Sequence, residues 1–158
     1  MSENKQQLAE QAAQSMYGRD KASQHLGITV AEVRPGYARL EMPVVEWMLQ
    51  GHDVCHGGLL FALADTAMAF ASNAHNETHL AINANIDFLR PATLGETLVA
   101  EASEGNRTRK TGMYDVTITN ESGKRICHFR GRTYGVGGSV IRDAAKDPDS
   151  DSSLDAGS

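Results

Sequence analysis

Two glycines mark the first place in the chain where residue types and spacing could do chemistry. Gly57 and Gly58 stand directly before a long apolar run, where paired glycines disfavour a helix unless something must approach the backbone closely. The first N–H groups of a helix have no intrahelical partner and lie at the positive end of its dipole. A carbonyl under attack there would find an oxyanion hole. Taken alone, however, the glycines are better explained by a loop that packs tightly.

Asp65 is the second such place, because it is the only charged residue between Gly58 and Ala74. A helix this apolar must be buried, and a buried carboxylate must be paired, protonated or open to a pocket. On the same helix only Thr66 and Ser72 could act as partners. The alternative is a structural aspartate bonded to nearby backbone. The scarcity of partners favours a functional carboxylate.

The spacing of these two features limits how they could work together. A rise of about 1.5 Å per residue separates Gly57 from Asp65 by roughly 12 Å along one helix. An oxyanion donor and a nucleophile or base must both lie within about 3 Å of one reacting centre. One chain can hardly supply both. If both are catalytic, each comes from a different subunit, with two antiparallel helices meeting across a two-fold axis and two shared sites in a dimer.

The rest of the sequence predicts the scaffold for these groups. Residues 3–19 are rich in helix formers, and Asp20 caps a short second helix. Alternating residues on either side of Arg34-Pro35-Gly36-Tyr37 predict a hairpin, and residues 57–75 form the one long apolar helix. Four strand-like runs follow it, at about 79–89, 96–106, 110–120 and 124–135.

This order of elements predicts an α+β fold, because strands in a block without intervening helices form an antiparallel sheet. The central helix is apolar on nearly every side and must be covered all round. One sheet curled around it, with a second subunit closing the open side, would do so. We divide the chain into a helical segment (1–26), a main domain (27–138) and an acidic tail (139–158), whose Asp, Ser, Ala and Gly content predicts disorder.

Bulk properties exclude several classes of protein. The 158 residues make one domain, and a net charge of −5 argues against a general nucleic-acid binder. The longest apolar run, Leu59 to Ala71, is too short to cross a membrane. The first residues do not resemble a signal peptide, and two widely spaced cysteines suit a reducing compartment, so we expect a cytoplasmic protein.

Two other groups of residues could suggest different chemistry. His52, Cys55 and His56 could suggest a metal site, but no second ligand group follows at a suitable spacing. Cys55 beside His56 could form a nucleophile pair. Adjacent residues on a strand or loop tend to point apart, however, which disfavours it.

The chain resembles the PaaI-type thioesterases of phenylacetate degradation over roughly residues 10–138. The segments that carry the resemblance are Met48 to Gly58, Leu63 to Ala67, Ile86 to Pro91, Lys110 to Gly112, Tyr114 to Val116 and Phe129 to Gly131. The resemblance implies a hotdog fold, in which a curved antiparallel sheet of five to six strands wraps around one central helix. It also implies a homo-oligomer, usually a dimer of dimers, that hydrolyses acyl- or aryl-CoA thioesters without a metal or other cofactor.

The resemblance also implies roles for individual residues. Asp65 is the nucleophile or the general base, the Gly57 N–H polarises the thioester carbonyl, and His56 orients the loop or assists the carbonyl. Gln50 stands where the family often has asparagine, which lengthens an amide that steers water or substrate. We expect further substrate or CoA contacts from Gly58, Thr66, Asn83, Arg90, Lys110, Thr111 and Arg130. The alternative for the cations is ordinary solvated surface charge.

The implied reaction is hydrolysis of a thioester of the phenylacetyl-CoA or hydroxyphenylacetyl-CoA type to the free acid and CoA. Benzoyl-type and medium-chain acyl groups stay open, as does the choice between dimer and tetramer. Two alternatives from other classes also stay open. One is a hotdog protein that binds acyl-CoA without catalysis, and the other is a hotdog hydratase or dehydratase acting on an enoyl thioester, with His56 beside the carboxylate.

Overall fold

The computed structural model of the chain describes residues 2–142. Its helices are α1 (Ser2–Arg19), α2 (Lys21–His25) and α3 (Gly57–Asn73), with one short 3₁₀ turn at Glu46–Met48. Its strands are β1 (Thr29–Arg34), β2 (Tyr37–Pro43), β3 (Glu77–Phe88), β4 (Thr97–Arg107), β5 (Thr111–Thr119) and β6 (Arg125–Ser139). The order of elements is the one that the sequence predicts. None of the helices in this part of the chain is both long and apolar enough to cross a membrane.

All six strands form one antiparallel sheet in the order β1-β2-β4-β5-β6-β3. Strands β1 and β3 are therefore its two edges. The sheet packs against α3, which confirms the α+β class and the hotdog arrangement of a sheet around one central helix. Because β3 follows α3 in the chain but pairs with β6, the strand that leaves the central helix becomes an edge.

The core lies between the sheet and α3. Strands β2 and β5 alternate buried and half-buried residues along their length, as expected of strands with one face on a core. The inward side chains of the sheet meet the apolar face of α3, where Leu63, Ala64, Ala67, Phe70 and Ala71 are almost completely buried. The alanines bring the helix close to the sheet, and the larger side chains fill the space between them.

One face of α3 is not covered by its own chain. Gly58 is exposed and Ala62, Asp65, Thr66 and Ala69 are only half-buried, and these positions recur every three or four residues along one side of the helix. The sequence predicts a helix that needs cover all round. The described residues cover it on three sides and leave the side that carries Asp65 open.

The C-terminal end of the fold lies further along the chain than expected. Strand β6 continues to Ser139, which pairs with Glu77. Val140 is buried and its carbonyl accepts a hydrogen bond from Arg19 at 2.9 Å, while the Ile141 N–H donates to Asn76 Oδ1 at 3.0 Å. A tail that begins at residue 139 is therefore wrong for residues 139–142. The rest of that expected tail, residues 143–158, lies outside the described residues.

Helix α1 packs against the central helix α3 and strand β1. Ala9, Ala12 and Ala13 are buried, and the Tyr17 hydroxyl donates to the Ile28 carbonyl at 2.8 Å. The Tyr17 ring also lies 6.4 Å from the ring of Phe70 on α3. The N-terminal segment therefore contacts both the central helix and the residue that precedes β1.

Candidate active site

The N-terminus of α3 is organised by His56. Its imidazole Nδ1 accepts a hydrogen bond from the Gly58 N–H at 2.9 Å, and its carbonyl accepts from Leu59 and Leu60. Its own N–H donates to the Met48 carbonyl at 2.8 Å, which ties the helix start to the preceding loop. The histidine is thus the N-cap residue of the helix.

This cap leaves a single glycine donor available. Among residues 2–142 no acceptor binds the Gly57 N–H, whereas the Gly58 N–H is occupied by His56. The unbound N–H lies in the first turn of α3, where the helix dipole favours negative charge. If the start of α3 donates to a substrate carbonyl, as the sequence predicts, the N–H left to do so is that of Gly57, because that of Gly58 binds the His56 ring.

Close contacts also favour glycine at both positions. A Cβ at Gly57 would lie 3.1 Å from Cζ and 3.2 Å from Cε1 of Phe88, and one at Gly58 would lie 3.1 Å from Nδ1 of His56. Close packing therefore explains part of the preference for glycine at these two positions. It leaves the oxyanion explanation intact, because the ring of Phe88 covers the Cα of Gly57 while the N–H stays without an acceptor.

Asp65 is half-buried, and no hydrogen bond or ion pair reaches its carboxyl group from residues 2–142. Its two possible partners on the helix bond to backbone instead: Thr66 Oγ1 donates to the Ala62 carbonyl at 2.7 Å and Ser72 Oγ to the Ala69 carbonyl at 3.1 Å. Burial raises the pKa of Asp65 above its ordinary value. The arrangement is that of a base with its oxygens unoccupied, and it lacks the backbone partner that a structural aspartate would have.

The loop before α3 is held by Gln50. The side-chain Oε1 of Gln50 accepts a hydrogen bond from the His52 N–H, and the backbone N–H of Gln50 donates to the Val54 carbonyl at 2.8 Å. Asp53 adopts a positive φ of 62° inside this turn. In the single chain the Gln50 side chain therefore braces the loop with its carbonyl, and its NH₂ group is left for other partners.

The expected substrate-binding residues outside α3 lie in three separate places. Arg90 follows β3 at the end of the sheet where Phe88 touches Gly57, and its side chain donates to the Arg125 carbonyl at 3.2 Å. Lys110 and Thr111 lie at the other end, because Thr111 pairs with Tyr134 whereas Phe88 pairs with Cys127 on the same strand β6. One chain therefore does not gather these residues around Gly57.

The remaining two lie on the outer face or edge of the sheet. Arg130 is exposed and binds Asp115 through two hydrogen bonds, at 2.8 and 3.2 Å, so its guanidinium is already paired. Asn83 is exposed on the edge strand β3, next to a bulge between Ala81 and Asn83. Both lie on the side of the sheet away from α3.

The competing site chemistries find little support in the geometry. Cys55 is buried, its Sγ–H points to the His56 carbonyl, and burial raises the pKa of its thiol to about 11. It is therefore a neutral thiol at neutral pH and a poor nucleophile. Within residues 2–142 no group of three or more His, Cys, Asp or Glu side chains is arranged to hold a metal ion.

Sequence reasoning missed two features of the site. Phe88 lies in a segment that carries the resemblance, but nothing in its spacing indicates that its ring contacts Gly57. The bond from Gly58 to the His56 ring was missed because N-caps are typically Ser, Thr, Asp or Asn.

Comparison with known proteins gives independent evidence on the family of this chain. Residues 52–127 match the thioesterase superfamily. The chain is 41% identical to the acyl-coenzyme A thioesterase PaaI of Escherichia coli over 85% of this chain and 96% of that protein, and 41% identical to a putative esterase of Archaeoglobus fulgidus over 84% and 86%. The solved structure of E. coli PaaI superimposes with a TM-score of 0.84 over 85% of this chain and 97% of that one. A PaaI structure from Thermus thermophilus, 35% identical, gives 0.70 over 72% of this chain and 97% of that one.

Proposed function

The chain belongs to the thioesterase superfamily, alongside the PaaI proteins, and from this premise we propose that it hydrolyses acyl-CoA thioesters to a free acid and coenzyme A. One observation carries the proposal. A single helix holds an N–H donor without an acceptor at its first residue, Gly57, and an unpaired, half-buried carboxylate, Asp65, on its open face. Acyl transfer from a thioester needs these two groups, and the fold leaves both unoccupied.

The two groups act on one substrate only if they come from different subunits. They are about 12 Å apart along their own helix, so Gly57 of one subunit and Asp65 of a second copy complete each site. A symmetric dimer then carries two such sites.

The edge strand β3 supports a second copy as the partner. Ala81, Ala84, Ile86 and Phe88 pair with inward residues of β6 and so share the α3 side of the sheet, yet none of them is buried. Phe88 is 55% exposed, and Ile82 in the bulge is 59% exposed. A long apolar edge strand is a template for pairing with another strand. Antiparallel pairing of two β3 strands would extend the sheet and cover the open face of α3.

The same pairing supports a role for the scattered cations. Antiparallel β3 strands bring the Leu80 end of one subunit beside the Phe88 end of the other. Lys110 and Thr111 of one subunit would then lie at the end of the sheet that holds Gly57 and Arg90 of its partner. A CoA thioester carries several phosphate charges, for which Arg90 and Lys110 are suitable partners. Arg130 is the weakest candidate, because Asp115 already occupies it.

The reaction proceeds by attack on the thioester carbonyl. As a general base, the Asp65 carboxylate takes a proton from water, and the hydroxide oxygen bonds to the carbonyl carbon. The carbonyl oxygen becomes an oxyanion that accepts a hydrogen bond from the Gly57 N–H. Collapse breaks the C–S bond and releases the acid, and the thiolate of CoA takes the proton. As a nucleophile, Asp65 would instead form a mixed anhydride that water then hydrolyses.

Asp65→Asn and Asp65→Ala test the proposal. We expect release of free thiol from acyl-CoA to fall by orders of magnitude in both, while the oligomer measured by light scattering is unchanged. Ser72→Ala is the matched control, because this hydroxyl on the same helix is bonded to backbone and does not belong to the expected site. Full activity in either Asp65 variant would refute the assignment.

The same assay separates the alternatives. A binding protein would bind acyl-CoA without releasing thiol, and a hydratase would change enoyl-CoA absorbance without releasing thiol. A single turnover in ¹⁸O-water tests the nucleophilic use of Asp65, since label in its carboxylate requires attack of water on the aspartyl carbonyl of a mixed anhydride, whereas a general base passes the label only to the acid.

We also propose a cytoplasmic location for the enzyme. Both cysteines are free and buried, as suits a reducing compartment. Detection of the protein in a cytoplasmic rather than a periplasmic or secreted fraction checks this.

A further inference from the structure

A cavity of about 380 Å³ opens on the same face of α3 as Asp65. On a helix, positions four residues apart lie one above the other, so Ala69 lies next to Asp65 on the open face, and Asn73, which is buried, follows it at the end of the helix. Ala69 and Asn73 line the cavity. The cavity therefore begins one helical turn from the proposed catalytic carboxylate, at the small side chain of Ala69.

Part of the cavity wall comes from both ends of the described chain. Met16 of α1 and Val140, directly after β6, line it together with Thr78 of β3. Met16 is half-buried against the core, and Val140 is 4% exposed. The Arg19 guanidinium holds this wall together, because it donates to the Val140 carbonyl at 2.9 Å and so ties α1 to the end of β6.

We infer that this cavity receives the acyl group of the thioester and that Met16 and Val140 set the length of acyl group that the enzyme accepts. This inference rests on the proposed thioester hydrolysis. The volume lies within the usual range for small-molecule sites, and the apolar part of the lining, which comes from Met16, Ala69, Leu80 and Val140, suits an aryl or medium-chain acyl group. The polar part of the lining includes Arg19, Asp20, His79 and Arg142 besides Asn73 and Thr78.

The size and position of Met16 make the inference testable. Met16→Ala lengthens the cavity and Met16→Phe shortens it. One methylene in an apolar pocket changes discrimination by about ten-fold or more. We therefore expect Met16→Ala to raise the kcat/KM ratio of dodecanoyl-CoA to hexanoyl-CoA about ten-fold, and Met16→Phe to lower it by a similar factor. Val140→Ala should act in the same direction as Met16→Ala.

Leu8→Ala is the matched control. Leu8 is also a half-buried apolar residue of α1, but it lines a separate cavity with Pro35 and His75. A loosened α1 would change the ratio equally in Leu8→Ala and Met16→Ala, whereas a length-setting wall changes it only in the latter. Met16→Phe decides the matter even if Met16→Ala unfolds α1, because it adds volume and leaves no void.

The outcomes distinguish this inference from the function on which it rests. If the wild-type protein releases no thiol from any straight-chain acyl-CoA or from phenylacetyl-CoA, the proposed hydrolysis fails. If it hydrolyses them but both Met16 variants keep the wild-type length profile, or merely match Leu8→Ala, the acyl group lies elsewhere and hydrolysis stands.

Discussion

The N–H of Gly57 can be removed without disturbing the helix that carries it. Gly57 is the first residue of α3, the position at which proline is best tolerated, because its missing N–H has no intrahelical partner. His56 before it has φ −59° and ψ 132°, which is the conformation that a residue preceding proline adopts. Gly57→Pro therefore deletes the proposed oxyanion donor and keeps the fold.

The matched control is Gly57→Ala. Both substitutions place a Cβ within about 3 Å of the Phe88 ring, and that ring is more than half exposed and can move. Only the proline variant loses the donor. Removing one oxyanion donor costs about 10²–10³-fold in kcat. We expect that difference in kcat between the two variants, measured as thiol release, with equal melting temperatures. A proline variant within about three-fold of the alanine variant would refute the role of this N–H.

The same variant tests whether the site is shared. Mixing and refolding equal amounts of Gly57→Pro and Asp65→Asn subunits gives heterodimers for about half of the dimers, each with one intact site of two. Activity should therefore recover to about a quarter of the wild-type rate, from two parents that are both nearly inactive. No recovery, with heterodimers shown to form by mass spectrometry, would mean that each chain builds its own site.

Three further predictions concern stability. Burial raises the folded-state pKa of Asp65, so the ionised carboxylate destabilises the folded protein. Asp65→Asn should therefore have a higher melting temperature than wild type at pH 7. The difference in melting temperature should vanish as the pH falls to 3.8, the ordinary pKa of the group. Burial and, to a smaller extent, the charge of Arg107 lower the pKa of His79. The free energy of unfolding, measured in urea, should therefore fall as the pH drops below 6.5, the ordinary pKa of histidine. A His79→Gln variant that loses stability equally steeply with pH would contradict this. Gly131→Ala should unfold at lower temperature because its Cβ would meet Met68 and Phe129, whereas Gly51→Ala, with open space around it, should not.

The sequence predicts those parts of the fold whose cause is local. The alternation of β2 and the uninterrupted apolar run of α3 identify these elements without knowledge of their neighbours. The end of β6 is different. Gly137 and Gly138 follow the predicted strand 124–135 and have positive φ, yet pairing of Glu77 with Ser139 keeps them in the strand. A contact between residues so far apart in the chain leaves no signal in either segment.

The same distinction between local and long-range causes applies to the residues of the site. Asp65 stands out in the sequence because a charge inside an apolar helix has a cost that can be assessed from composition alone. Which glycine donates to substrate cannot be assessed so, because it depends on which N–H the His56 ring occupies. The role that we infer for Met16 depends on three elements meeting and has no local cause.

The fixed spacing of the two groups also determines how two subunits must meet. If residue 57 of one helix lies opposite residue 65 of another across a two-fold axis, the helices cross near residue 61, midway between them. The half-exposed residue at that height on the open face is Ala62, and Phe61 turns inward to contact the Phe129 ring at 5.4 Å. A small side chain at the crossing lets two helices approach closely, as the catalytic distance of about 3 Å demands. In the proposed dimer, each helix would provide half of each site because its exposed face is small near residue 61 and carries the two proposed reactive groups, Gly57 and Asp65, on either side.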